Sequence, residues 1–229
     1  NSYSLNIKDS IKGGLLYGGG EFCVGKEKAI FCINCDQLIS FDLVSGKINF
    51  PTPKWGKVAA PAISTDEKWA VYVFSDGETD LIAIAPLHGY DWPRQIIKGA
   101  DFYLNPVWHP QDNKLAWVEW VHPCMPWQGS RVMSGELGGM QLRLMSESWI
   151  AGKVSRAAHQ PQFSPNGKWL SYLIQNGEWE DLVVYDLQKK EKRVLVQGSG
   201  FMLSTPDWVE GLRSYGWGND SRMLYYVRY

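Results

Sequence analysis

Pro161-Gln-Phe-Ser-Pro-Asn-Gly-Lys-Trp-Leu170 is the stretch that decides the fold, because it occurs four times in degraded form. Its counterparts are Pro61-Ala-Ile-Ser-Thr-Asp-Glu-Lys-Trp69, Pro106-Val-Trp-His-Pro-Gln-Asp-Asn-Lys-Leu115 and Tyr215-Gly-Trp-Gly-Asn-Asp-Ser-Arg-Met-Leu224. The copies start at 61, 106, 161 and 215, so the spacings are 45, 55 and 54 residues. Each copy has an apolar residue two past its start, a polar turn, and then an apolar run: Trp69–Phe74, Leu115–Trp120, Trp169–Ile174 and Met223–Val227. This is the pattern of strand, tight turn, strand. Outward from it, Asp76-Gly77 and Asn176-Gly177 predict type I′ hairpins. Further strands follow at Leu81–Ala85 and Leu182–Tyr185. Four short strands per unit at this period predict an all-β chain, a β-propeller of four-stranded antiparallel blades.

The units are expected at about 21–56, 57–100, 101–154, 155–200 and a truncated 201–229, after a glycine-rich lead-in over 1–20. That is about four and a half blades of a propeller expected to have seven or eight. The chain starts at Asn1 and breaks off inside a unit. We therefore expect it to need more chain, or a second copy through its open blade edges, to close.

Composition narrows the function. Lys+Arg number 23 against 24 Asp+Glu, so no basic excess points to nucleic acid or a membrane surface. The run Lys189–Arg193 falls on an outer hairpin turn and reads as solvated. No apolar run approaches the ~18–20 residues of a membrane helix, and the start does not resemble a signal peptide. Four cysteines are too few for a disulfide scaffold. Cys32-Ile-Asn-Cys35 has no second ligand pair to make a zinc site. Reduced thiols, a cytoplasmic setting and no metal or cofactor are the expectation. The glycines at 13–14 and 18–20 lead into a strand rather than a helix, which argues against a phosphate loop. No nucleophile elbow, H-E-x-x-H or Walker sequence appears, so no catalytic residue is expected in this chain. The acid pairs Asp76/Glu78 and Glu178/Glu180 fall on predicted hairpin turns and read as exposed.

Departures from a repeat are where function concentrates. The third unit continues from Glu119-Trp-Val121 into His122-Pro-Cys-Met-Pro-Trp-Gln-Gly129, a proline-braced loop rather than a two-residue hairpin. Glu119, His122, Met125, Trp127 and Arg131 are the candidate substrate-binding residues: an acid, a cation and apolar or aromatic surface within one segment. Packing between sheets is the competing role for Trp117, Trp120 and Trp127. A second departure, Phe201–Arg213, precedes the last repeat, and sequence does not say what it faces.

Four segments in order carry a family resemblance. They are Tyr17-Gly-Gly-Gly-Glu-Phe22, Asp36-Gln-Leu38, Asp101-Phe-Tyr-Leu-Asn-Pro106 and Leu115-Ala-Trp-Val-Glu-Trp-Val-His-Pro-Cys-Met-Pro-Trp-Gln-Gly129. Together they resemble the propeller of the prolyl oligopeptidase family of serine peptidases, in the dipeptidyl-peptidase and acylaminoacyl-peptidase-like branch. The resemblance implies a C-terminal α/β-hydrolase domain as partner, holding a Ser–Asp–His triad. It also implies that the propeller restricts access to short peptides and, in some members, contacts the substrate's N-terminal end through acids or aromatics. The hydrolase domain is missing from this chain. Gln128 and Ser130-Arg131 stand where the resemblance leads us to expect an Asp and a Thr-Glu, which leaves Glu119 as the acid. The alternatives are a non-enzymatic interaction propeller of the Tol or WD-repeat kind, and a propeller glycosidase or lectin.

Overall fold

A computed structural model describes residues 9–15, 18–88 and 91–229. Tyr17, at the head of the first resemblance segment, lies outside the described residues. Among the described residues there is no helix, and therefore none long and apolar enough to cross a membrane. The chain divides into two compact units: residues up to Gly99 with Trp208–Gly211, and Ala100–Asp207 with Leu212–Tyr229.

The first unit holds two antiparallel four-stranded sheets, each paired in sequence order. One is β1 (Phe22–Val24), β2 (Lys28–Ile33), β3 (Gln37–Asp42) and β4 (Ile48–Asn49). The other is β5 (Lys57–Ile63), β6 (Trp69–Ser75), β7 (Asp80–Pro86) and β8 (Arg94–Ile97). Ile30, Cys32 and Leu38 of the first pack on Val58, Ala70, Tyr72, Leu81 and Ala83 of the second.

The second unit holds β9 (Phe102–Trp108), β10 (Lys114–Trp120), β11 (Ser130–Gly138) and β12 (Arg143–Gly152) in one sheet. The next comprises β13 (Ala158–Phe163), β14 (Trp169–Asn176), β15 (Trp179–Asp186) and β16 (Lys192–Val196). A two-stranded sheet of β17 (Tyr215–Trp217) and β18 (Leu224–Tyr226) follows. Leu104, Ala116, Val118, Trp120 and Val132 face Ala158, Leu170, Tyr172 and Val183 across a dry interface. Each fully buried aliphatic or aromatic side chain there contributes about 1.5–3 kcal/mol. Trp120 is thus packing between sheets, as period 2 along β10 requires. Sheets stacked face to face in this way are β-propeller blades.

The structure shows what the repeat encodes. Ser164 N–H donates to the Trp169 carbonyl (2.9 Å), and its Oγ accepts from Trp169 N–H (3.0 Å) while donating to Asn166 Oδ1 (2.8 Å). Ser64, Asp66 and Trp69 repeat the same three bonds at 2.9, 3.0 and 2.7 Å. In three of the four copies the residue that closes the turn is left-handed: Glu67 (φ 52°), Gly167 (φ 70°) and Ser221 (φ 60°). Before each repeat proline stands another left-handed residue, Ala60, Asn105 or Gln160, at a register shift in its strand. Such bulges re-aim neighbouring side chains.

Two turn predictions need correction. The 176–179 connection is a two-residue loop, since Asn176 pairs with Trp179, and only Gly177 has positive φ (65°). That is the II′ pattern, in which glycine alone supplies the left-handed first position. At 76–79 the loop has four residues, because Ser75 pairs with Asp80 and Asp76 Oδ1 accepts from Glu78 and Thr79 N–H. The Cys32-x-x-Cys35 spacing is also a turn, with Asn34 (φ 50°) and Cys35 (φ 68°) left-handed. All four cysteines are free thiols.

Candidate functional site

Three strands set the third blade's acid in place. Glu119 on β10 pairs with Tyr103 on β9 and with Arg131 on β11. The carboxylate is almost buried, and both oxygens are engaged. Trp117 Nε1–H donates to Oε2 at 2.8 Å, and the Arg131 guanidinium lies 2.9 Å from Oε1. Trp117 is fully buried, and it shares the face of Glu119 because they are two residues apart on a strand. Tyr103 accepts a hydrogen bond from Ala100 N–H at 2.9 Å. Burial, reinforced by the Glu119 charge, pushes its phenol up to about 12.

The loop after β10 is built from two turns. Cys124 N–H reaches the Val121 carbonyl (3.1 Å), and Gln128 and Gly129 N–H both reach the Met125 carbonyl (2.9 and 3.1 Å). His122 N–H is tied to Asp101 Oδ2 at 2.8 Å. The His122 and Met125 side chains are exposed, and Trp127 is half-buried. Among the described residues no side-chain hydrogen bond or ion pair joins His122 or Met125 to the Glu119–Arg131 pair. Arg131 is half-exposed and lines an open groove with Trp120, Val121, Gly129 and Trp149. Nothing in the sequence marks Trp149 as a site residue. Its indole N–H is held by the carbonyls of Ala151 (3.0 Å) and Gly152 (2.8 Å), which leaves the ring outward and exposed.

The second polar cluster escapes sequence reasoning altogether. At the β13 bulge the buried His159 meets two carboxylates: Nδ1 lies 2.8 Å from Asp207 Oδ2, and Nε2 lies 2.7 Å from Glu180 Oε1. Glu180, expected as an exposed turn acid, is buried on β15, because the turn is confined to Gly177-Glu178 and Glu180 already pairs with Gln175. Ser204 donates to Glu180 (2.8 Å). Gln160 Nε2 donates to Asp207 Oδ1 (3.2 Å), and its Oε1 accepts from Ser214 N–H (2.9 Å). The 201–207 part of the second departure is therefore bound into this cluster. A neutral imidazole has one N–H and would turn a lone pair toward one carboxylate, so two acceptors demand imidazolium. Burial opposes the charge, but Asp207 and the two hydrogen bonds outweigh it and raise His159 to about 10. Burial would likewise raise Glu180; the His159 and Ser204 contacts outweigh it and lower its pKa.

Stacked four-stranded antiparallel blades of this topology define a partial β-propeller. Among solved structures the chain is similar to a puromycin-hydrolysing peptidase of Mycobacterium tuberculosis, at 22% identity and a TM-score of 0.75 over 90% of this chain and 34% of that one. It is similar to a puromycin hydrolase at 19% identity and a TM-score of 0.77, over 94% of this chain and 36% of that one. A prolyl endopeptidase matches at 14% identity and a TM-score of 0.60, over 85% of this chain and 31% of that one. At these identities the likeness is one of fold, and the chain spans about a third of the length of those structures. No family model matches the sequence, and no curated protein sequence matches it.

Proposed function

We propose that this chain is the substrate-gating propeller portion of a prolyl oligopeptidase-type serine hydrolase that acts on short peptides. The nucleophile and its base come from an α/β-hydrolase domain; this chain supplies shape and a binding contact. The observation that carries this reading is the Glu119–Arg131 pair beside the proline-braced loop, in the blade whose β10–β11 connection departs from the repeat. The ordered sequence segments and the fold of the peptidases named above support it.

In this reading Trp117 and Glu119 fix the Arg131 guanidinium. Arg131 and the Trp149 face form the groove, with His122, Met125 and Trp127 on the adjoining loop. A peptide's amino end is drawn to the Glu119 carboxylate and its carbonyls to Arg131. Because these contacts lie away from the bond being cut, they bind substrate and transition state alike and act on KM rather than kcat. Glu119→Gln and Arg131→Ala in the hydrolase-linked protein are expected to raise KM for free-amino peptides several-fold, with kcat near wild type. Acylated peptides should respond less to Glu119→Gln. An unchanged KM in both variants removes this pair from the substrate path.

A further inference from the structure

A second candidate site lies in the first unit, against the β5–β8 sheet. The Trp55 ring meets Phe74 edge-on (centroids 6.0 Å apart). Gly56, with φ +76°, permits this approach, since a Cβ there would stand 2.6 Å from the Phe74 ring. Trp92, Pro53 and Pro93 line the same cleft. Trp55 and Trp92 are 69% and 70% exposed, unusual for two tryptophans that bound one cavity. The cleft is open on one side and holds about 100 Å³.

Tyr72 lies at the floor. It is 3% exposed, yet its hydroxyl makes no hydrogen bond among the described residues. The hydroxyl opens onto the cleft, where a ligand's acceptor can reach it. The indole N–H groups of Trp55 and Trp92 likewise have no acceptor among the described residues. Three donors on ring walls complement a ligand made of rings and acceptors. A proline-rich segment is such a ligand: its residues lack N–H, present carbonyls, and hold an extended helix at low entropic cost. The charge at one lip is the exposed Asp76 carboxylate, oriented by Glu78 and Thr79 N–H. Arg94, at the other, is drawn over Trp69 (5.5 Å).

We propose that this groove binds a proline-rich peptide segment carrying a basic residue beside its prolines. The proline ring enters between Trp55 and Trp92, the preceding carbonyl accepts from Tyr72, and the basic side chain meets Asp76. The site is separate from the Glu119 groove and stands whether or not that reading holds.

The test is a titration of the 229-residue chain followed by its tryptophan indole N–H resonances. The probes are an Arg-(Pro)6 peptide, an Arg-(Gly-Ser)3 peptide, a Glu-(Pro)6 peptide and maltohexaose. Saturable shifts of Trp55 and Trp92 are expected with Arg-(Pro)6 only, or far more weakly with Glu-(Pro)6. Tyr72→Phe, which removes one oxygen from the core, should weaken binding about three- to tenfold. Asp76→Asn should weaken it about two- to fivefold for the Arg peptide alone. Trp92→Ala, at an exposed position, should abolish it. Equal shifts with the Gly-Ser peptide, shifts with the sugar alone, no shifts at millimolar peptide, or wild-type affinity in all three variants would overturn the proposal.

Discussion

Replacing His159 with glutamine tests the buried cluster quantitatively. Glutamine keeps an amide N–H but removes the cation that Glu180 and Asp207 approach at 2.7 and 2.8 Å. Breaking a buried ion pair by deleting one partner costs about 3–5 kcal/mol, because the charge left behind stays desolvated. The pH dependence is more diagnostic than the size. Unfolded histidine titrates near 6.5, and native His159 at about 10. Between those values the native state holds one proton more than the unfolded state. The stabilisation is therefore complete below about pH 6.5 and declines by about 1.4 kcal/mol per pH unit up to the native value. Glu180 behaves oppositely: its depressed pKa contributes above its unfolded value and is lost as pH falls through the native one. Urea melts of wild type and His159→Gln at pH 7, 8 and 9 give the stability difference directly. It should shrink by about 3 kcal/mol from pH 7 to 9. A difference independent of pH across that range would show that His159 is neutral in the native state and that the two-carboxylate geometry is not held. Ser204→Ala, which removes only a hydroxyl from Glu180, is expected to cost about 1–3 kcal/mol with no such slope.

Other outcomes follow from the blade turns. Ser164→Ala leaves Trp169 N–H without its side-chain acceptor and should lower stability by about 1 kcal/mol in a denaturant melt. Gly177→Ala meets nothing within 4 Å, so only the left-handed backbone opposes it, at about 1–2 kcal/mol. Gly152→Ala drives a Cβ into the Ser130 carbonyl oxygen and to 2.8 Å from Ala158 Cβ; its melting temperature should fall well below that of Gly177→Ala. Equal melting temperatures for the two glycine variants would mean that β12 and β13 are not packed as described.

The blades were legible because their turns are local: Ser164, Asn166, Gly167 and Trp169 lie within six residues and bond one another. Period 2 likewise set Trp120 and Glu119 on opposite faces of β10, though not which face packs between sheets. The His159 cluster was illegible because its members come from three segments, with Glu180 and Asp207 lying 21 and 48 residues along the chain. The bulge that aims His159 uses a left-handed Gln160, and a non-glycine residue gives no sign of that conformation. Glu180 was misplaced for a smaller reason: β15 begins at Trp179, directly after the two-residue turn, whereas the apolar run that marks it in the sequence starts only at Leu182. At the Glu119 site the sequence named both members of the ion pair but not that they pair, nor Trp149, which reaches the groove from the far strand of the sheet.

Whether this propeller gates a serine hydrolase is tested most directly by the coding sequence downstream of Tyr229. A gating propeller requires an open frame running through further four-stranded repeats into an α/β-hydrolase domain with a G-x-S-x-G elbow. A stop after one or two more repeats, with no such elbow, would contradict it.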